Sequence, residues 1–243
     1  MSEIVTIVQA RMTSSRLPGK VLADIDGRSS LAYMLERVQR ARNVGRIVVA
    51  TTVNDTDDPV AQLAERLGVS VFRGDEMDVL GRYADAAELF NADPIVRLTA
   101  DCPMIDPTVI EAVVQLYRHG DWDYVGNGIN RTFPDGLDVE VFSRAALVTA
   151  DREAKHPFLR EHVTPYIRGT YEQYESGDFR IGHSIFEADF SHIRWTLDTA
   201  DDLHRIRRLV ALLPDDHTWL QALSVATRFP ELLGVTQSQD AES

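Results

Sequence analysis

The chain has 243 residues, with 25 Lys+Arg against 38 Asp+Glu, a formal net charge of −13 at pH 7, and 44% hydrophobic and 26% charged residues. That balance suits a globular protein able to bury a sizeable core, and its acidity argues against nucleic acid as the main partner, because phosphate backbones are met by basic surfaces. The single cysteine, Cys102, excludes an intrachain disulfide framework and a cysteine-based zinc ribbon. No apolar run approaches the ~20 residues of a membrane span, and the opening segment is too short and acidic for a signal peptide, so the expected compartment is the cytoplasm.

In chain order, Ile4–Val8 alternates as a short strand and leads into a polar loop carrying Arg11, Arg16, Pro18 and Gly19. Ser30 is placed to cap a helix to about Arg42 that presents Leu31, Met34, Leu35 and Val38 on one face. Ile47–Thr52 is a near-continuous apolar run, as expected of a strand buried on both sides. The spacing then predicts a helix over Asp58–Leu67 ending at Gly68, a strand at Val69–Phe72, a helix at Asp78–Leu89, a strand at Ile95–Thr99 and a helix at Pro107–Tyr117. Beyond Trp122 the alternation weakens: strands are expected at Tyr124–Gly128, Asp138–Phe142, Phe179–Phe186 and Arg194–Leu197. Helices are expected at Ser143–Glu153, His156–Ile167, Ala200–Leu213 and Trp219–Ala226, and Trp122, Trp195 and Trp219 are expected in the core. No linker or repeat interrupts the chain, so residues 1–235 read as one domain with an inserted lobe at about 129–190, and Thr236–Ser243 as a disordered tail.

Strands separated by helices at this spacing predict an α/β fold with a mostly parallel, doubly wound sheet. Ligands bind such sheets beyond the carboxyl ends of the strands, which here are the loops after Val8, Thr52 and Thr99. The first of these, Ala10–Lys20, places three cations within a short, acid-free stretch of small residues. Its backbone N–H groups can converge on an anion while Arg11, Arg16 and Lys20 supply charge; an ordinary solvated basic loop is the alternative. The glycine spacing of a Walker A loop is absent. Asp101 and Asp198 each leave an apolar strand-like run towards that same edge. Either they hold a hard cation together with substrate phosphates, or each caps the helix that follows.

These segments carry a family resemblance. Ala10–Lys20, Arg97–Pro103 and Thr196–Leu203 resemble the signature segments of the cytidylyltransferases that make CMP-activated acidic sugars, such as CMP-Kdo and CMP-sialic acid synthetases. Gly74–Tyr83, Phe133–Glu140 and Arg160–Thr164 are similar to segments of the spore-coat-polysaccharide branch, the SpsF type. The resemblance implies a glycosyltransferase-A-like nucleotidyltransferase fold and Mg²⁺-dependent transfer of CMP from CTP to a small-molecule acceptor, with release of pyrophosphate. It also implies a homodimer, with the inserted lobe as the interface. By motif, Arg11 and Lys20 would contact the triphosphate, assisted by Arg16. Gln9, Ala10, Gly19, Thr52, Arg82 and Thr99 would complete the nucleotide site, and Asp101 and Asp198 would hold Mg²⁺. The chain departs from the family pattern at Ala100, where glycine is more usual, at Ser29-Ser30, and at Thr99, where CMP-Kdo synthetases use glutamine to recognise the base. The choice of nucleotide therefore stays open at this stage.

For the acceptor, the candidates are Asp135, Asp138, Glu140, Glu161 and His162, the last being the side chain whose ordinary pKa lies nearest neutrality. A salt-bridged network stabilising the lobe is the competing reading. Cys102 reads as a small packed residue and not as a nucleophile. Two other functions compete with cytidylyl transfer. A glycosyltransferase on the same kind of fold usually carries Asp-x-Asp, whereas this chain has Asp101-Cys102-Pro103. A non-catalytic nucleotide sensor would be expected to lack Lys20 or an aspartate. A nucleotidyltransferase using another NTP or a phosphonate acceptor is a further variant.

Overall fold

The computed structural model describes residues 3–234, so the expected tail at Thr236–Ser243 lies outside the described residues. The strands are β1 (Glu3–Gln9), β2 (Asp24–Ile25), β3 (Arg28–Ser29), β4 (Arg46–Thr52), β5 (Ser70–Gly74), β6 (Ala92–Thr99), β7 (Tyr124–Gly126), β8 (Glu140–Phe142) and β9 (Ile181–His183). The helices are α1 (Ser30–Arg40), α2 (Asp58–Arg66), α3 (Val79–Leu89), α4 (Pro107–His119), α5 (Arg144–Glu153), α6 (Pro157–His162), α7 (Pro165–Arg168), α8 (Ala200–Val210) and α9 (Trp219–Arg228).

Seven strands form one sheet in the order β5-β4-β1-β6-β8-β7-β9. β5, β4, β1 and β6 run parallel, whereas β8 is antiparallel to both of its neighbours. Side chains alternate across the sheet, as the two-residue strand period requires. Val8, Val49, Val96 and Leu98 face one core layer with α1, α2, α4, α8 and α9. Val5, Ile7, Val48, Ala50 and Ile95 face the other with α3, α5, α6 and α7. Helices on both faces explain the near-continuous apolar runs in the sequence.

The chain leaves β1 for β4 and β5 on one side and returns to β6 on the other. The carboxyl ends of β1 and β6 therefore flank the switch point at which such sheets open a crevice. The two ends stay in register, Gln9 opposite Thr99, and Ala100 N–H donates to the Gln9 carbonyl at 3.0 Å.

Several expectations needed correction. Arg194–Leu197 is not a sheet strand: it makes one isolated bridge, Arg194 to Asp135, and its backbone groups bond to loops, Trp195 N–H to the Asp135 carbonyl and Leu197 N–H to the Asp101 carbonyl, both at 2.7 Å. The expected helix His156–Ile167 is two helices, α6 and α7, broken at Val163. Ser29, not Ser30, caps α1, its hydroxyl accepting from Ala32 N–H. The β2–β3 hairpin was not expected, although its two-residue turn Asp26-Gly27, both at positive φ, is the Asp-Gly signal of a tight hairpin, and α8 stops at Val210. Trp195 and Trp219 are buried, but Trp122 is only partly so.

Candidate active site

Above the ends of β1 and β6 lies a cleft of about 360 Å³, a size typical of small-ligand pockets. Its walls include Gln9, Ala10, Arg11, Arg16, Lys20, Arg82, Thr99, Asp101, Glu161, His162 and Asp198.

The basic loop is shaped from within. Gly19 adopts φ 74°, a left-handed conformation that glycine takes without penalty, and its N–H donates to the Met12 carbonyl at 2.9 Å. This closes the loop and starts the short 3₁₀ turn Lys20–Leu22, burying most of Lys20. The fully buried Asp57 clamps the other end: it accepts from Met12 N–H at 2.7 Å and from the Thr52 hydroxyl. Thr52 and Gly19 thus shape the loop from behind and do not line the cleft.

Lys20 Nζ reaches three acceptors: Asp198 Oδ1 and the Leu197 carbonyl, both at 2.8 Å, and Asp101 Oδ2 at 3.5 Å. Two carboxylates nearly a hundred residues apart in sequence therefore meet at one ammonium, and the Leu197–Asp101 backbone bond ties their segments together. Neither acts as a helix cap. Asp106 caps α4, and Thr199 caps α8 in a reciprocal box with Asp202. Asp198 also pairs with Arg16 at 2.9 Å and with Arg194. These hard carboxylate oxygens, already gathered around one positive charge, fit a divalent cation that takes its other ligands from phosphate and water. Among the described residues no group of three or more His, Cys, Asp or Glu side chains converges as a metal cage, so substrate oxygens would have to complete such a site.

The opposite wall is built from α3 and α6. Arg11 pairs loosely with Glu76 at 3.6 Å and Glu161 at 3.9 Å. Arg160 fixes α6 to its surroundings, bonding Asp78 and Asp151. At the end of α6, Val163 is held at φ 72°, ψ −61°, with Thr164 N–H donating to the His162 carbonyl at 2.9 Å. This is a γ-turn of the strained, positive-φ kind. His162 lines the cleft beside this turn, its ring 4.4 Å from that of Phe158. Burial holds its pKa below the ordinary imidazole value, and the charges of Arg97 and Arg168 add to this against Glu161.

Three of the acceptor candidates lie elsewhere. Glu140 is buried under the cleft floor, paired with Arg97 and with Arg168, and accepts from the Tyr124 and Thr164 hydroxyls, both at 2.7 Å. Asp135 and Asp138 share Arg131 at 3.4 and 2.8 Å, and Asp135 also faces Arg194. Asp135 thereby joins the Arg131–Asp138 pair to Arg194 behind Asp198, a salt-bridged network of the kind weighed as the alternative, and none of the three lines the cleft. Burial, followed by the charge of Asp138, pushes the Asp135 carboxyl above its ordinary value. The Cys102 thiol, beside Thr99 and Asp101, is pushed well up by burial and by Asp101, which keeps it protonated.

Arg97, Val79, Ser14, Ser15, Val21 and Ala100 also line the cleft and had not been singled out as site residues. Arg97 was readable by strand parity, since it shares a face of β6 with Thr99; its guanidinium donates to Gln9 Oε1 at 3.1 Å.

Comparison with known proteins agrees with this geometry. A model of the cytidylyltransferase family matches residues 5–226. The spore coat polysaccharide biosynthesis protein SpsF of Bacillus subtilis (strain 168) is 33% identical over 216 residues, 86% of this chain and 87% of that protein. A 3-deoxy-manno-octulosonate cytidylyltransferase of Anaeromyxobacter dehalogenans (strain 2CP-1) is 30% identical over 246 residues, 87% of this chain and 99% of that protein. The solved structure of a cytidylyltransferase from Leptospira borgpetersenii superposes with a TM-score of 0.89 at 33% identity, with full coverage of both chains. The fold is the expected glycosyltransferase-A-like nucleotidyltransferase fold. The chain is a nucleotidyltransferase and belongs to the cytidylyltransferase family.

Proposed function

We propose that the protein transfers CMP from CTP to a hydroxyl of a sugar, a sugar acid or a related small acceptor, releasing pyrophosphate. The observation that carries this reading is the Lys20 ammonium, which spans Asp101 and Asp198 at one end of a cleft whose other wall presents His162. The names of two relatives, one a 3-deoxy-manno-octulosonate cytidylyltransferase and one a spore coat polysaccharide biosynthesis protein, favour a sugar-acid acceptor in polysaccharide synthesis.

In this reading Lys20, Arg11 and Arg16 hold the triphosphate, aided by backbone N–H groups of Ser15 and Arg16 on the cleft side of the loop. Gln9, Thr99 and Arg82 line the nucleoside end, while Thr52 supports it through Asp57. Asp101 and Asp198 hold Mg²⁺, which when bound supplies neutralisation of phosphate charge. The acceptor oxygen attacks the α-phosphorus in line, and the chain's work is positioning and electrostatic stabilisation. Glu161 and His162 face the acceptor, and His162 takes the hydroxyl proton as its oxygen bonds to phosphorus. We place the reaction in the cytoplasm, and read residues 1–235 as one catalytic domain whose lobe at 129–190 carries the acceptor wall and a homodimer contact.

The test supplies Mg²⁺, each NTP in turn and a panel of acidic sugars, and measures pyrophosphate. Release with CTP is expected. Lys20→Ala and Asp101→Asn should each lower the rate about 100- to 1,000-fold, as does removal of one preorganised charge-stabilising donor, with the fold retained. Near-wild-type rates in both variants would remove the proposed site.

A further inference from the structure

Asp198 follows a segment that no strand ladder holds, yet its carboxylate is fixed from behind by an arginine. Asp101, the other acid at Lys20, is held by the sheet. It follows β6, whose end is locked by Ala100 N–H donating to the Gln9 carbonyl at 3.0 Å. The run Arg194–Leu197 has one isolated bridge in place of a ladder. Its anchors are the fully buried Trp195 and Leu197, and their alternation puts Arg194, Thr196 and Asp198 on the opposite side.

Arg194 spans three carboxylates. Nη2 donates to Asp198 Oδ2, Nη1 donates to Asp202 Oδ1 at 2.9 Å, and Nε lies 3.5 Å from Asp135 Oδ2. Asp202 is itself fixed: its Oδ2 accepts Asp198 N–H at 3.0 Å and Thr199 N–H at 2.9 Å, inside the box that caps α8. Asp198 is thus tied twice to one anchor, its backbone by Asp202 and its side chain by the arginine that Asp202 holds.

The three cations on Asp198 differ in what a triphosphate can do to them. Lys20 and Arg16 line the cleft, and the Arg16 side chain is 62% exposed, so both are placed to turn to phosphate oxygens. Arg194 does not line the cleft, and its side chain is only 19% exposed. With the other two drawn to phosphate, Arg194 is the cation that stays on the carboxylate. Its planar fork fixes two acceptors at once, which a point charge does not. It occupies Oδ2, while Oδ1 faces Lys20 at 2.8 Å beside Asp101.

We propose that Arg194 is a positioning residue for the metal carboxylate: it holds Asp198 Oδ2 from behind and so keeps Oδ1 turned into the cleft for Mg²⁺. Partners that orient a metal's ligands typically carry about 10- to 100-fold of its affinity. This inference rests on the reading of Asp101 and Asp198 as magnesium ligands and deepens it.

Mn²⁺, a paramagnetic stand-in for Mg²⁺, is the probe. Electron paramagnetic resonance follows free Mn²⁺ as it is added to the full chain carrying CTP, with protein in excess so that no CTP is free. Arg194→Met should weaken Mn²⁺ binding about 10- to 100-fold relative to the wild type. Its affinity for CTP in EDTA, read by calorimetry, should stay within about threefold, since Lys20, Arg11 and Arg16 remain. Arg205 also donates to Asp202 Oδ1 but, among the described residues, to no oxygen of Asp198. Arg205→Met should therefore bind Mn²⁺ as the wild type does. Unchanged or tighter Mn²⁺ binding in Arg194→Met would overturn the assignment. So would a matching loss of CTP in EDTA, or an equal Mn²⁺ loss in Arg205→Met, which would place the effect in the α8 cap. Should Arg194→Met not fold, Arg194→Lys carries the test: one ammonium does not span Asp198 and Asp202, so Mn²⁺ should weaken there too, and wild-type affinity would sink the proposal. If the wild type with CTP takes up Mn²⁺ no better than CTP alone, the metal reading itself falls; if it does bind and Arg194→Met loses nothing, only this inference does.

Discussion

Replacing Glu140 by glutamine tests whether this acid belongs to the acceptor site or to the framework. Burial alone would raise its carboxyl pKa, but the charges of Arg97 and Arg168 and the hydroxyls of Tyr124 and Thr164 outweigh burial and bring it down to about 2. A carboxyl titrating near 2 when folded and near 4.5 when unfolded contributes about 3 kcal/mol at neutral pH. Because the folded pKa is depressed, that stability is present above pH 4.5 and is lost as pH falls through 2. An independent route gives a similar figure: breaking a buried pair while leaving its partner charged costs about 3–5 kcal/mol. Glutamine keeps the shape and an acceptor for Tyr124 and Thr164, so the loss isolates the countercharge of the largely buried Arg97 and of Arg168. Urea unfolding at pH 7 should show Glu140→Gln destabilised by about 3 kcal/mol, with Tm lower by about 6–12 °C for a domain of this size. The double variant Arg97→Met/Glu140→Gln should recover part of that stability, since apolar replacement of a buried pair is often neutral. A loss below about 1 kcal/mol, or an intact fold with a collapsed rate, would return Glu140 to the acceptor site.

Two pH effects follow from the histidines. His217 is buried, and burial followed by the charge of Arg37 lowers its pKa to about 4. The unfolded chain takes that proton near 6.5, so stability is complete above pH 6.5 and falls towards pH 4, by about 2 kcal/mol at pH 5. His217→Gln should flatten this slope in urea midpoints between pH 7 and 5, and an unchanged slope would discount His217. The base proposed for the acceptor, His162, must be neutral to work, and its pKa lies below the ordinary value through burial, with Arg97 and Arg168 opposing Glu161. The profile of kcat/KM should therefore fall on the acid side of pH 6.5, and His162→Gln should remove that limb and lower the rate about 100- to 10,000-fold. Persistence of the limb in the variant would assign it to another group.

The parallel half of the fold was legible because its signals are local. Ile47–Ala50 is apolar and Thr51-Thr52 buried since β4 is covered on both faces, and Gly68 ends α2 at φ 70°, as a C′ glycine should. Asp101 was placed by topology, since it follows β6 at the ligand edge; Asp198 was expected there from a strand that the sheet does not contain, and it meets Lys20 because Leu197 N–H bonds to the Asp101 carbonyl. Arg194–Leu197 misled for a physical reason: its apolar residues Trp195 and Leu197 are fully buried, so the pattern is strand-like, but its backbone partners are loops and not a ladder.

What the sequence hid was pairing across distance. Glu140 lies between Val139 and Val141 on a buried strand, and it is satisfied only because the antiparallel register sets it opposite Arg97 on β6. No local pattern fixes that register, so an acid near a motif reads equally well as a ligand or as half of a buried pair. Arg82 poses the same problem on a helix. It shares the apolar stripe of α3 with Val79, Tyr83 and Ala86, where a charge is out of place. In both cases the visible sign is a charged residue on a buried face, and only the three-dimensional partner separates framework from site. Glu140 finds its countercharges inside the protein, in Arg97 and Arg168. Arg82 donates to one backbone carbonyl, that of Asp75, and lines the cleft, which is why the first is expected to govern stability and the second belongs with the cleft.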